Sequence, residues 1–96
     1  MRDRWLFTDP RNLAVITLRQ ILDRARPILY VSHDADDEGW QFLTGDAVTP
    51  DDARVVGLGT IAKLDPSVFE LADLPLGWKA WRLTANDPWQ RAPERH

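Results

Sequence analysis

The sequence predicts a small α+β domain, with a mostly antiparallel sheet of four to five short strands and two to three helices. Three observations support this prediction. A chain of 96 residues can bury one hydrophobic core and little more, so we expect a single compact domain over residues 1–96. Short apolar runs alternate with turn residues, as strands do. Two helix-start patterns, at Thr17 and at Asp65, interrupt those runs.

The first elements are predicted to be a strand followed by a capped helix. Residues 13–16 form a short apolar run that favours a buried strand. Thr17 and Gln20 then match a T-x-x-Q capping box, and Pro27 would stop the helix. The helix would turn one apolar face to the core, made of Leu18, Ile21, Leu22 and Ala25.

The centre of the chain is predicted to be a β-hairpin with an acidic tip. Strands at residues 28–33 and 40–44 flank a segment, residues 34–39, that is nearly all acidic or glycine. We expect Trp40 and Trp81 to lie in the core because both fall on predicted strands. Trp5 and Trp89 lie in polar terminal segments, where they could cover the surface or meet a partner.

The second half is predicted to hold two more strands and three short helical segments. In order, we expect one helical turn after Thr49-Pro50, a strand at 55–58, a helical turn at 60–64, a helix starting at Asp65-Pro66 and a strand at 79–84. Residues 85–96 carry two prolines and many charges, so we expect them to trail over the surface. The ordered core would then span about residues 10–85.

Charge and composition exclude several classes of function. The net charge of −3 argues against a general nucleic-acid binder, because such proteins neutralise phosphates with Lys and Arg. The absence of cysteine excludes disulfides, thiolate metal sites and a cysteine nucleophile. The N-terminus has no signal-peptide pattern and no run is apolar enough for a membrane span, so we expect a cytoplasmic protein without membrane contact.

The acidic tip has the start of a calcium-loop pattern. Asp34, Asp36, Glu38 and Gly39 match positions one, three, five and six of such a loop. Position twelve should be a bidentate glutamate but is Gly45, and the flanks are predicted strands rather than helices. Carboxylates that keep a hairpin tip solvated explain the same residues. We therefore expect no metal site and no cofactor.

A catalytic set cannot be assembled around the histidines. His33 next to Asp34 suggests acid–base chemistry, but adjacent strand residues point to opposite faces. The other histidine is the terminal His96, and no serine lies in a G-x-S-x-G setting. We therefore predict no catalytic residues. A small enzyme or ligand-binding domain that uses His33 and nearby carboxylates remains the alternative.

The remaining hypothesis is a non-enzymatic binding module. A cluster of negative charge on a small scaffold can steer association with a basic protein. The candidate partner-binding residues surround the tip: His33, Asp34, Asp36, Asp37, Glu38 and Trp40. A second alternative is a homo-oligomeric structural module held together by exposed tryptophan.

Much of the chain, about residues 10–85, resembles a family of small bacterial proteins called domain of unknown function 2185, grouped with toxin-system immunity proteins as immunity protein 33. The matching segments are P-I-L-Y-V-S-H-D-x-D-D-x-G-W-Q-F-L-x-G-D at 27–46, D-A-R-V-V-G-L-G-T-I-A-K-L-D-P-S-V-F-E-L at 52–71 and P-L-G-W at 75–78. The resemblance implies a compact α+β domain, a bacterial source and, by analogy, neutralisation of a toxin. It supplies no catalytic residues.

Overall fold

The structure is a computed structural model that describes residues 5–94. Its helices and strands, in chain order, are β1 (Ala14–Leu18), α1 (Arg19–Leu22), β2 (Tyr30–His33), β3 (Trp40–Leu43), β4 (Ala53–Gly57), α2 (Leu58–Leu64), β5 (Trp78–Trp81) and β6 (Gln90–Pro93). Two 3₁₀ segments, Pro50–Asp52 and Pro66–Leu71, precede β4 and follow α2. The Cα radius of gyration of 12.6 Å matches the value of about 12–13 Å expected for one domain of this length.

The strands form one sheet in the order β4-β1-β3-β2-β5-β6. Every pairing is antiparallel except β1 with β3, which is parallel. The β2–β3 hairpin lies at the centre, with His33 opposite Trp40 and Tyr30 opposite Leu43. The α+β class and the mostly antiparallel sheet are therefore confirmed, with six strands instead of four or five.

The helices cover one face of the sheet. Because side chains alternate along each strand, β2 and β3 send Val31 and Phe42 to the covered face, where both are fully buried. The covering segments contribute apolar residues that are also fully buried: Leu58, Ile61, Val68 and Leu71. The opposite face carries Ile16 and Val55, which are 41% and 69% exposed. The sheet thus has one core face and one open face.

The prediction of a capped helix from Thr17 is wrong. Thr17 belongs to β1, is fully buried, and its hydroxyl donates to the Phe42 carbonyl at 2.9 Å. The helix begins only at Arg19, and Leu18 at its start makes no side-chain cap. Pairing of β1 on both sides overrides the local capping pattern, since β-branched residues also favour strands. Ala25, predicted on the buried helix face, is exposed.

The C-terminal segment does not trail over the surface as expected. Residues 90–93 form β6, which pairs with all four residues of β5. At the other end, Phe7 is buried and Trp5 packs against the core, so ordered structure also begins earlier than residue 10. The parts of this expectation that concern residues 1–4 and 95–96 lie outside the described residues.

The predicted last strand, residues 79–84, ends at Trp81, and the next residue, Arg82, points into the protein. Its side chain is 2% exposed and pairs with the Asp65 carboxylate at 2.7 Å. It also donates twice to the Ile28 carbonyl, at 2.9 and 3.1 Å. Asp65 caps its 3₁₀ helix as predicted, by accepting from the Ser67 N–H at 3.0 Å. One ion pair, with a buried arginine and a half-buried aspartate, thus joins the residue after β5 to the start of a helical segment.

The tryptophans divide between the two faces of the sheet. Trp40 is 2% exposed, which confirms its predicted place in the core. Trp81 is only half-buried and lies on the open face, opposite Tyr30, so its predicted core position is wrong. Trp5 and Trp89 are half-buried and pack against the core, which makes them part of the fold.

Candidate functional site

The hairpin tip is held in one conformation by two hydrogen bonds. The Asp34 N–H donates to the Gly39 carbonyl at 2.8 Å, and the Gly39 N–H donates to the Asp37 carboxylate at 2.9 Å. A Cβ atom at Gly39 would lie 3.0 Å from the same carboxylate oxygen, so a side chain there would have to displace the exposed Asp37 carboxylate. The turn leaves the carboxylates of Asp36, Asp37 and Glu38 exposed and that of Asp34 half-buried.

A second carboxylate-bearing segment lies beside the tip. Gly77, just before β5, donates its N–H to the His33 carbonyl at 2.6 Å and accepts from the Glu94 N–H at 2.7 Å. Gly77 has a positive φ of 81°, which an L side chain rarely adopts. The Tyr30 hydroxyl donates to the Glu94 carboxylate at 3.2 Å and fixes its direction. Glu94 is thereby held next to the hairpin tip.

Because Gly77 has no side chain, a shallow cavity of about 240 Å³ opens between the tip and Glu94. We call this cavity the acidic cleft, and its lining residues are Asp34, Ala35, Asp36, Asp37, Gly77 and Glu94. Within residues 5–94, none of these carboxylates forms an ion pair with a lysine or arginine. The cleft therefore concentrates negative charge that the described part of the fold does not neutralise.

The electrostatics of Asp34 reflect this crowding. Burial raises the pKa of the Asp34 carboxyl above its ordinary value, and a hydrogen bond from Gln41 at 3.2 Å opposes the shift. Repulsion from three neighbouring carboxylates adds to the effect of burial: Asp37, Glu94 and Asp36. The pKa of the Tyr30 hydroxyl is also raised, by burial and then by Glu94. Both groups thus sit in a negative field.

We expect Asp34→Asn to stabilise the protein at neutral pH. The folded state binds the Asp34 proton more tightly than the unfolded chain does, so ionised Asp34 costs stability above its raised pKa. Removing the charge should raise the free energy of unfolding at about pH 7 by less than about 1 kcal/mol, since the group is partly solvated. Urea denaturation of both proteins across a pH series measures the difference.

The gain should shrink as the pH falls through the raised pKa and vanish below the ordinary value of 3.8, where the wild-type carboxyl is protonated in both states. Glu70→Gln, an exposed change on another element, should stay within about 0.5 kcal/mol of the wild type at every pH. A stability loss in Asp34→Asn at neutral pH would show that the carboxylate is held by favourable contacts instead.

His33 lies outside the acidic cleft. Its Nδ1 is 2.7 Å from the Leu74 carbonyl, which makes Nδ1 the protonated ring nitrogen. The ring stacks on Trp40 at a centroid distance of 3.8 Å, whereas the Asp34 side chain bonds to Gln41. The two neighbours therefore point to different sides of the sheet, as their alternation predicts. Their side chains do not form an acid–base pair.

Trp40, which we included among the partner-binding residues, has almost no accessible surface. Its indole N–H donates to the Asp9 carboxylate at 2.9 Å. Its ring packs edge-on against Phe7 at 5.3 Å and lies parallel to Phe42 at 5.9 Å. These contacts attach the N-terminal segment to the hairpin. Trp40 therefore packs in the core next to the tip and exposes almost no surface that a partner could contact.

The carboxylates do not converge as metal ligands do. Within the described part of the chain, no group of three or more His, Asp or Glu side chains is placed to hold one ion. None of the helices formed by residues 5–94 has both the length and the apolar character needed to cross a bilayer.

Comparisons with protein-family models, with curated proteins and with solved structures find no match to this chain. The resemblance to the domain of unknown function 2185 family therefore stays a prediction. Of the candidate residues, the fold brings Asp34, Asp36 and Asp37 to the cleft, and it adds Glu94, which sequence reasoning missed. No local pattern marks Glu94, because it reaches the tip only through the pairing of β6.

Proposed function

We propose that this chain is a non-enzymatic, cytoplasmic binding module whose acidic cleft and exposed tip bind a basic segment of a protein partner. The observation that carries the proposal is the grouping of four carboxylates around one cavity without a cation from the described residues. A lysine or arginine side chain placed there would meet several acceptors at once.

The field at the cleft favours such a partner energetically. Burial and then repulsion from neighbouring carboxylates raise the pKa of Asp34, and an incoming cation would relieve that repulsion. Attraction of this kind also speeds encounter, and it weakens as salt rises. Salt-sensitive association is therefore a property that the proposal requires.

The family resemblance extends the proposal to the kind of partner. If the chain is a bacterial immunity protein, the partner is a toxin, and the acidic cleft covers a basic surface that the toxin uses. This mode of action needs no reaction at the cleft. It needs only a surface that holds its carboxylates in place, and the hydrogen bonds of Gly39, Gly77 and Tyr30 support such rigidity.

We expect the combined change Asp34→Asn, Asp36→Asn and Asp37→Asn to weaken partner binding at least tenfold, which corresponds to about 1.4 kcal/mol. The test immobilises the wild type and each variant and compares the proteins that each one retains from lysate of cells that naturally carry the chain, at low and at high salt. The matched control removes three exposed carboxylates elsewhere, with the changes Asp23→Asn, Glu70→Gln and Asp73→Asn.

A partner that the wild type and the control variant retain, and the tip variant loses, supports the proposal. Its release with rising salt should be steeper for the wild type than for the tip variant. If both triple variants lose the partner equally, total charge matters rather than the cleft. If neither change affects binding, the acidic cleft is not the binding surface.

A further inference from the structure

The edge strand β4 presents unpaired backbone groups to solvent. The Leu58 N–H donates to the Leu13 carbonyl at 2.9 Å, which fixes which residues hydrogen-bond across the antiparallel β1–β4 pair. In an antiparallel pair, hydrogen-bonded and non-hydrogen-bonded residue pairs alternate along the strands. The N–H and C=O of Arg54 and Val56 therefore point toward β1. Those of Val55 point outward, away from the sheet. Among residues 5–94 no strand pairs with this side of β4, so the edge can accept one more strand.

The open face of the sheet next to this edge carries no charge. In the β1–β4 pairing Val55 lies directly opposite Ile16, and these two side chains are 69% and 41% exposed. The neighbouring positions Ala14, Ala53 and Gly57 are also uncharged, and Leu18, at the end of β1, is buried in the core. An uncharged stripe thus runs up to an edge that can accept another strand, a combination that favours strand addition.

We propose that β4 pairs with β4 of a second copy of this chain, antiparallel and with Val55 opposite Val55, to form a two-fold symmetric dimer. Around that axis the two Val55 residues exchange both backbone hydrogen bonds, and Ala53 of each copy faces Gly57 of the other. The exposed side chains of the two Val55 residues then meet at the axis, and each is flanked on its own copy by Ile16. A continuous twelve-stranded sheet results from two sheets of six strands.

The charges at the edge fit a second copy. Arg54, the charged residue of β4, donates through Nη1 to the carbonyls of Asp51 and Ala53, both at 2.9 Å. The guanidinium therefore folds back toward the start of its strand, and in the two-fold register the two guanidiniums diverge. Asp52 is paired with Arg19 at 3.2 Å within each copy. Like charges do not meet across the axis.

The small contact area sets the expected strength. A five-residue strand spans about 17 Å, so the interface falls at the low end of specific interfaces, below about 1,200 Å² in total. We therefore expect a dimer that forms and dissociates with concentration. The opposite edge is protected, because Pro93 in β6 has no N–H to donate and Arg91 places a charge there.

Sedimentation equilibrium over about 10 µM to about 1 mM tests the proposal. The average mass of the wild type should rise with concentration from 11.0 kDa toward twice that value. Val55→Lys should stay monomeric throughout, because it places two lysines side by side at the axis. Gln90→Lys, the same kind of change on the β6 edge, should dimerise like the wild type.

Hydrogen exchange of the backbone amide at position 55 should also slow as the wild-type concentration rises. In Val55→Lys the exchange rate at that position should not depend on concentration. A wild type that remains monomeric at about 1 mM would overturn the proposal. So would a Val55→Lys variant that dimerises normally, or a dimer that is lost in Gln90→Lys. Val55 is exposed, so its replacement leaves the core intact, and circular dichroism confirms that the variant is folded.

Discussion

Arg82→Ala is expected to lower the free energy of unfolding by about 3–5 kcal/mol, the range for breaking a buried ion pair by removing one partner. The Arg82 guanidinium satisfies the Asp65 carboxylate and the Ile28 carbonyl, and its central carbon lies 4.0 Å from the Trp89 ring centroid. Alanine would leave the Ile28 carbonyl and one oxygen of the Asp65 carboxylate without their Arg82 donor, and it would open space beside the ring. Urea or guanidinium denaturation measures the loss.

Arg91→Ala is the matched control for Arg82. Arg91 also pairs with an aspartate, Asp73, at 3.1 Å, but the two side chains are 34% and 81% exposed. Exposed pairs contribute at most about 1 kcal/mol, so this variant should stay close to the wild type. Equal losses in the two variants would show that Arg82 is not the buried link between β5 and the segment that begins at Asp65.

Trp40→Ala is expected to cost about 3–5 kcal/mol as well, because it removes the largest buried side chain and leaves a cavity. The change also frees the Asp9 carboxylate and removes the surface on which His33 stacks. We expect the hairpin tip to loosen with the core beneath it. Thermal and chemical denaturation of the variant give the size of the effect.

Trp81→Ala tests whether the effect follows burial or simply the loss of tryptophan. Trp81 is half-buried on the open face, where the Lys79 ammonium lies 5.6 Å from its ring centroid. Its replacement should cost clearly less than that of Trp40, about 1–2 kcal/mol. If Trp81→Ala were as damaging as Trp40→Ala, the open face would have to be covered rather than exposed.

The hairpin could be predicted from sequence because its determinants are local. Two runs of strand-forming residues flank six residues that are nearly all acidic or glycine, and the structure pairs the two runs in the expected antiparallel sense, with His33 opposite Trp40. The helical segment after Asp65-Pro66 was predictable for the same reason, since a capping side chain and a proline act within one turn. Local chemistry decided both elements.

The elements that could not be predicted depend on distant partners. Thr17 matches a helix cap locally, but it lies in a strand because β1 pairs with β3 on one side and with β4 on the other. Arg82 points inward on the same side as Ala80, as alternation along the predicted strand implies, but the partner that it meets there, Asp65, is 17 residues away in the sequence. Glu94 joins the acidic cleft only because β6 pairs with β5. No short window of sequence contains both members of these pairs.

The candidate surface could be predicted only in part, because some of its residues are close in the sequence and others are distant. The tip aspartates belong to one hairpin, so their clustering follows from the chain itself. The depth of the cleft does not follow from the hairpin sequence, because Gly77 and the Glu94 carboxylate, both distant in the chain, form its other side. The sequence thus predicts where the negative charge lies, and the fold determines the shape of the acidic cleft.

The most direct test of the proposed function follows backbone amide signals of the isotope-labelled protein while an arginine- and lysine-rich peptide is added. We predict saturable shifts at residues 34–38, at Gly77 and at Glu94, which Asp34→Asn, Asp36→Asn and Asp37→Asn together abolish. Shifts spread equally over other exposed carboxylates, such as Asp23 and Asp73, would contradict the account. They would mean that the peptide responds to net charge and that the acidic cleft is not a distinct binding surface.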